Sequence, residues 1–366
     1  MSLDPASWEA ATFEHAAGWH PLPLAAGAFG VSAQSPLTAT AGIEVLRAGG
    51  SAADAVVAMV AVDCVVQPGT CSLAGSLGAL VRSADGQVEV LNAGMNRPLH
   101  HREDYDHLRD RATGHAVLVP GCVPGLEALW ARYGSKDWPA LWIPAIALAR
   151  DGFRAGPLFS SNAARRADVL LGSPTGVVCL APEGRLPELG DLVCQPGLAA
   201  TVAEIAEGGV DWFQHEWAEA AVSAVREAGG GWCMEDFSVY AARWDDALRG
   251  EYLGTEIITS PAPHYGGGVL LTALRIAEAL GVHERPPREL DGQALVEEIG
   301  ALDWAQAGYR PHNPACAPAE TLDHARSALT GGYAAKAAAA IRAAMRIEVY
   351  QGTDAVVIIN ERMNRG

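Results

Sequence analysis

Nowhere in this chain do two cysteines stand as a Cys-x-x-Cys pair. The seven present (Cys64, Cys71, Cys122, Cys179, Cys194, Cys233, Cys316) are odd in number and scattered. That spacing supports neither a zinc ribbon nor a thioredoxin-type motif, and the expectation is reduced structural thiols in a cytoplasmic protein. No apolar run reaches about 18 residues, so no transmembrane helix is expected and no membrane partner. The opening Met1-Ser2-Leu3-Asp4-Pro5 lacks a basic segment followed by an apolar core, so no signal peptide is expected. Positive charge is scarce: 26 Lys and Arg face 43 Asp and Glu, a net charge of −17. Such a balance argues against nucleic acid or an anionic membrane surface as a partner, since both need a basic footprint. The Gly-x-Ser-x-Gly elbow of serine hydrolases is missing. Gly266-Gly267-Gly268 has neither the Walker lysine nor a Gly-x-Gly-x-x-Gly spacing, which leaves a tight turn ahead of an anion-binding loop. Nothing implies a metal or organic cofactor.

What is present is apolar residue in quantity, 49% of 366 positions, enough for a large core. Val31-Ser32-Ala33 reads as a short strand. Pro36 to Leu46 is apolar at helical spacing and ends at Gly49-Gly50. Ser51-Ala52-Ala53-Asp54 then resembles a capping box, opening a helix to about Val66 that is apolar nearly all round and therefore buried. A hairpin pairs Ala79-Leu80-Val81-Arg82 with Val88-Glu89-Val90-Leu91 across Ser83-Ala84-Asp85-Gly86. Asn92 to Pro98 is the loop that leaves it. His100 to Arg111 mixes histidines with acids, but without a zinc-ligand spacing it reads as a solvated charged segment.

Farther on, Val117-Leu118-Val119 reads as a strand before a helix through Leu126, Leu129 and Tyr133. A second helix covers Trp138 to Ala149. Residues 155–190 read as loop, because four prolines interrupt them. Helices are expected at 197–207 and 216–228, one strand over Glu251 to Thr259, and a helix from about Val269 to Leu280. Residues 290–347 read as alanine-rich helix with a loop near Pro311. With no internal repeat and no low-complexity linker, the expectation is one large lobe of mixed α+β structure.

Near the end stands Gly352-Thr353-Asp354-Ala355-Val356-Val357-Ile358-Ile359-Asn360, a β-branched run directly after Gly-Thr. A threonine opening a strand is commonly a packing residue. The functional alternative is an N-terminal nucleophile: a cut before Thr353 would place an α-amino base beside its own hydroxyl. The residues alone leave both readings open.

Ordered segments across the chain resemble the large-subunit region of the γ-glutamyltranspeptidase family. Gly49-Gly50-Ser51-Ala52-Ala53-Asp54-Ala55 is similar to its buried-helix motif. Val119-Pro120-Gly121, Pro144 to Ala149 and Asp151-Gly152-Phe153 match its next signatures in order. Gln195-Pro196-Gly197-Leu198-Ala199, Met234-Glu235-Asp236-Phe237 with Tyr240, and Pro261 to Gly267 continue the series. The resemblance implies an α+β N-terminal nucleophile hydrolase fold, a four-layer αββα sandwich that is incomplete without the small subunit. It implies residues 1–30 as an N-terminal extension, 31–352 as the large-subunit-like region and 353–366 as the start of the small-subunit-like region. Thr353 would be the catalytic nucleophile, exposed by self-cleavage, and a small-subunit partner would complete the sheet.

Three positions depart from the family pattern. Asp354 and Ala355 replace its second Thr and its His, and a carboxylate beside the freed amine favours its charged form, which opposes its work as a base. The substrate-gripping arginine of the loop after the hairpin aligns with Gly94, while Arg97 stands three residues away. Ser72 to Gly78 has lost most of the family's glycine run. These departures imply a small-molecule substrate that is not γ-glutamyl. The alternatives are a carbon–carbon bond hydrolase of the branch found in 4-alkylproline antibiotic pathways, ordinary γ-glutamyl transfer with Arg97 standing in, or a non-catalytic binding relative.

Overall fold

The computed structural model describes residues 27–262, 264–284, 292–309, 324 and 326–344. Thr353, the run to Asn360 and most of the expected N-terminal extension lie outside the described residues. In place of one lobe, the chain forms two compact units. Among the described residues, the first comprises 27–77 and 92–243, and the second 78–91 and those from 244 to 344.

The first unit is built on helices. Helix α1 (Pro36–Arg47) packs on α2 (Ala52–Val66). Helix α2 starts at the expected capping box. The Ser51 N–H donates to Asp54 Oδ2 at 2.7 Å, and the Asp54 N–H donates to Ser51 Oγ at 3.1 Å. Val57, Ala58, Ala61, Val62 and Val65 on α2 are completely buried, which is why its sequence lacks a polar face. Each such valine contributes roughly 1.5–3 kcal/mol of burial. Helices α3 (Cys122–Tyr133) and α4 (Trp138–Asp151) pack against α2.

The proline-broken stretch expected as loop holds three short helices, α5 (Pro157–Arg165), α6 (Ala167–Gly172) and α7 (Pro174–Leu180). Pro157 and Pro174 each stand at the first helical position, where the missing N–H is no loss and the fixed φ helps. Then come α8 (Pro196–Trp212), a π-helical turn (Phe213–Trp217), α9 (Ala218–Glu227) and the short α10 (Met234–Ser238). Trp142 is fully buried, and the Trp138 indole N–H donates to the Ile205 carbonyl at 3.0 Å, tying α4 to α8. Two expected strands do not form. Residues 31–33 are irregular, and Val117 to Val119 contributes only a single bridge, between Val119 and Asn96. Both segments are too short to recruit a neighbouring strand.

In the second unit the segment expected as one strand is a hairpin. Strands β6 (Leu248–Tyr252) and β7 (Thr255–Thr259) pair antiparallel, from Leu248 opposite Thr259 to Tyr252 opposite Thr255. Leu253 and Gly254 turn between them at φ 50° and 75°. Positive φ at both central residues is what a two-residue hairpin requires, and Leu253 disguises it in the sequence. Helix α11 (Tyr265–Leu280) lies on β6, with α12 (Gly292–Tyr309) and α13 (Gly331–Ala344) beside it. Ala301, Ala334, Ala337 and Ala338 pack with Ile276, Leu280 and Ile341, small residues that let these helices approach closely. The expected hairpin of β1 (Leu77–Arg82) and β2 (Val88–Ala93) forms, with Gly86 at φ 88° in its turn, and β2 also neighbours β5 (Arg243–Asp246). A two-stranded pair, β3 (Phe153–Arg154) and β4 (Leu192–Val193), completes the sheets among the described residues.

Candidate functional site

The loop leaving β2 is held from several sides. The Asn92 side-chain oxygen accepts the N–H of Gly94 at 3.2 Å, an Asx turn that bends the chain out of the strand. Asn96 and Val119 exchange both backbone hydrogen bonds, at 3.0 and 2.8 Å. The buried Asp236 carboxylate accepts the Leu99 N–H at 2.7 Å with one oxygen and the Cys233 N–H at 2.8 Å with the other. Asp236 thus caps α10 and anchors the far end of the loop with a single side chain.

Tyr240 reaches the same loop, its hydroxyl donating to the Gly94 carbonyl oxygen at 2.7 Å. Burial, reinforced by nearby Cys122, pushes the Tyr240 phenol up to about 12, so it is a neutral donor across the physiological range. Gly121 makes this approach possible. A Cβ there would overlap both the Tyr240 hydroxyl and the Ala93 carbonyl oxygen. The Gly121 φ of −117° suits any residue, so space and not dihedral freedom demands glycine. The N–H groups of Gly121 and Cys122 both donate to the Gly75 carbonyl, at 2.9 and 3.0 Å. The loop of residues 72–77 is therefore tied to the start of α3.

Gly94 is half-buried, and the hydrogen bond from Tyr240 occupies its carbonyl. Position 94 accordingly presents no cation. Arg97 is exposed, its Nη1 lying 3.2 Å from His101 Nε2. His101 Nδ1 lies 3.1 Å from the Pro98 carbonyl, so Nδ1–H donates there and Nε2 accepts from the arginine. The guanidinium is thus oriented by a histidine within its own loop. Thr353 lies outside the described residues, so its placement against Gly94 and Arg97 is not described.

The charged segment after this loop is a network of ion pairs. Arg102 pairs with Asp104 at 2.6 Å, and Arg109 pairs with Asp110 at 2.6 Å. The Arg109 hydrogen bond, joined by the Asp106 N–H, holds the Asp110 carboxyl well below the usual range. Among the described residues, no cluster of His, Cys, Asp and Glu could hold a metal ion. Gly266, Gly267 and Gly268 lie inside the first turn of α11 and not in a turn before it. Close approach explains two of them: a Cβ on Gly267 would meet the Ser260 carbonyl, and one on Gly268 the Tyr309 hydroxyl.

Tyr240, Asp236, Asn92 and Gly121 had no role assigned from sequence. Three of them stand in segments that carry the family resemblance, and that was the available signal. Their partners are distant in sequence, so the pairing itself left no trace in the spacing.

Residues 38–353 match the family model described as Gamma-glutamyltranspeptidase. Glutathione hydrolase 2 of Arabidopsis thaliana is 30% identical over 263 residues, covering 70% of this chain and 45% of that protein. The capsule biosynthesis protein CapD proenzyme of Bacillus anthracis is 27% identical over 278 residues, covering 76% of this chain and 49% of that protein. The γ-glutamyltranspeptidase structure from Helicobacter pylori superposes with a TM-score of 0.77 at 24% identity, covering 92% of this chain and 95% of that one. The shared fold is the α+β architecture of N-terminal nucleophile hydrolases. The chain spans about half the length of the curated relatives it matches. Among the described residues, no helix is long and apolar enough to cross a membrane.

Proposed function

The chain belongs to the gamma-glutamyltranspeptidase family, and from that premise we propose that it supplies the large-subunit part of an N-terminal-threonine hydrolase or acyltransferase. Thr353 is its nucleophile, and its substrate is a small acyl compound without the γ-glutamyl head group. Cleavage before Thr353 frees an α-amine. The threonine hydroxyl attacks the acyl carbonyl while that amine takes its proton. Collapse of the tetrahedral adduct returns the proton to the leaving group, and an ester remains on Thr353. Water or an acceptor amine then repeats the sequence to release the acyl group. The segment from residue 353 onward is the start of the small-subunit partner in this reading.

One observation carries the choice of substrate class. Where the family's carboxylate-gripping arginine aligns, Gly94 offers no side chain and its carbonyl is bound by Tyr240. A bidentate carboxylate clamp needs a guanidinium fixed to within a fraction of an ångström, and a glycine supplies none. Ordinary γ-glutamyl transfer is the second reading, favoured by Arg97, which is exposed in the same loop and oriented by His101.

Intact-mass spectrometry of the whole protein, native and Thr353→Ala, tests the nucleophile. The native form is expected as two chains, the second beginning at Thr353, and the variant as one inactive chain. A variant that is still cut and still turns over overturns the assignment.

A further inference from the structure

Three cysteines that the proposed chemistry does not use meet behind the loop of residues 72–78. Cys64 lies in the last turns of α2 and is almost fully buried. Its Sγ is 3.4 Å from the Sγ of Cys71, which is partly exposed. Cys122, at the first position of α3, is buried and within hydrogen-bond reach of the Cys64 thiol. Between the end of α2 and Cys71 the chain makes a tight turn. Gly69 takes φ 84°, and the Thr70 and Cys71 N–H groups both donate to the Gln67 carbonyl. The two sulfurs are therefore in van der Waals contact and held there by backbone hydrogen bonds.

We propose that Cys64 and Cys71 are a peroxide-oxidisable dithiol, with Cys71 as the attacking sulfur and Cys64 as the resolving one. Accessibility divides the roles: Cys71 reaches the surface, whereas Cys64 is enclosed by the core. The hydrogen bond from Cys64 also lowers the Cys71 thiol, while Cys64 itself is raised by its bonds to Cys122 and Cys71.

In the first step the Cys71 thiolate attacks one oxygen of a small peroxide. The O–O bond breaks, and for hydrogen peroxide the departing hydroxide takes up the proton that the Cys71 thiol released and leaves as water. Cys71 becomes a sulfenic acid. The Cys64 sulfur then attacks Cys71 Sγ, the S–O bond breaks, and the hydroxide leaves with the Cys64 proton as a second water. Two thiols are oxidised by two electrons in total, and the peroxide is reduced. Closing the contact from 3.4 Å to a disulfide bond needs a movement of about 1.4 Å.

The consequence reaches the candidate site through one carbonyl. Cys71 is covalently followed by Ser72, and Gly75 in the same loop accepts the N–H groups of Gly121 and Cys122. A disulfide would fasten this loop to the end of α2, directly beside the glycine on which Tyr240 rests.

The test is mass spectrometry on the whole protein. It is treated with hydrogen peroxide, denatured, its free thiols are blocked with iodoacetamide, and it is digested with trypsin without reductant. Because no Lys or Arg lies between Arg47 and Arg82, Cys64 and Cys71 fall in one peptide, 48–82. The expected product is that peptide about 2 Da lighter than its reduced form and free of alkylation. Cys64→Ser is expected to leave Cys71 as a sulfenic acid that dimedone traps. Cys71→Ser is expected to leave Cys64 alkylated only after denaturation. A peptide 48–82 carrying two alkyl groups, or oxidation confined to the exposed Cys179 and Cys194, overturns the proposal. So does a link from 48–82 to 112–132, the peptide of Cys122.

Discussion

The hydroxyl of Tyr240 donates to the carbonyl oxygen of Gly94 at 2.7 Å, joining residues 146 positions apart. This bond closes the loop after β2 at the glycine where the family resemblance leads us to expect a substrate-gripping arginine.

Tyr240→Phe removes the donor and leaves the ring in place. The expected cost is about 1–2 kcal/mol, read as a lower urea midpoint with an unchanged slope. The pH dependence supplies a second signature. The phenol titrates near 10.0 when free and near 12 in the folded protein, so the folded state holds its proton while the unfolded state loses it. Stability due to Tyr240 is therefore fully present below about pH 10 and declines as pH rises toward 12, by roughly 2–3 kcal/mol in all. The Phe variant should lack that decline, and an identical alkaline profile would contradict the assignment.

Gly121→Ala places a methyl group where the Tyr240 hydroxyl and the Ala93 carbonyl now lie. One of these contacts is backbone, so a rotamer change cannot relieve it. A loss of about 3 kcal/mol or more is expected from overpacking, visible as a drop of several degrees in Tm. A variant as stable as the native protein would show that the approach is looser than described.

Asp54 is completely buried and accepts hydrogen bonds from the Ser51, Ser135 and Lys136 N–H groups and from the Ser135 hydroxyl. Burial would raise its carboxyl, but the Ser135 side chain and the backbone donors outweigh it and hold the group below its ordinary value. Its stabilisation is then present above the unfolded value near 4 and lost as pH falls through the folded one. Asp54→Asn should cost roughly 2–4 kcal/mol at neutral pH. The gap to the native protein should narrow on acidification, as chemical denaturation across pH 3–7 would show.

Gly94→Arg places a guanidinium at the position that the proposed function assigns to a carboxylate clamp. If the surrounding pocket recognises an amino-acid head group, hydrolysis of a γ-glutamyl anilide by the whole protein should gain about tenfold or more in kcat/KM, chiefly through KM. Arg97→Ala serves as the companion. Loss of a native γ-glutamyl activity in that variant would favour the second reading of function.

The parts of this protein that were legible without a structure are those whose cause is local. The capping box at Ser51 and Asp54 needs only a spacing of three. The enclosed helix after it needs only a run without a polar face, and the hairpin at Gly86 only a turn tetrad between alternating residues. Each is decided by neighbours along the chain. The proline-rich stretch misled because proline breaks a helix in its interior yet starts one at its first turn, and position within the element decides which. The hairpin at Leu253 was hidden because a leucine took a conformation usually left to glycine.

The candidate site divides along the same line. The proposals for Gly94 and for the junction before Thr353 rest on residue identity and on the resemblance, and both are legible in the sequence. The hydroxyl that occupies the Gly94 carbonyl, the carboxylate of Asp236 that holds Leu99, and the contact of Cys64 with Cys71 belong to tertiary structure. A hydrogen bond across 146 residues, or a sulfur contact around a turn, depends on where backbones come to rest after the core has packed. No spacing in the sequence encodes that position.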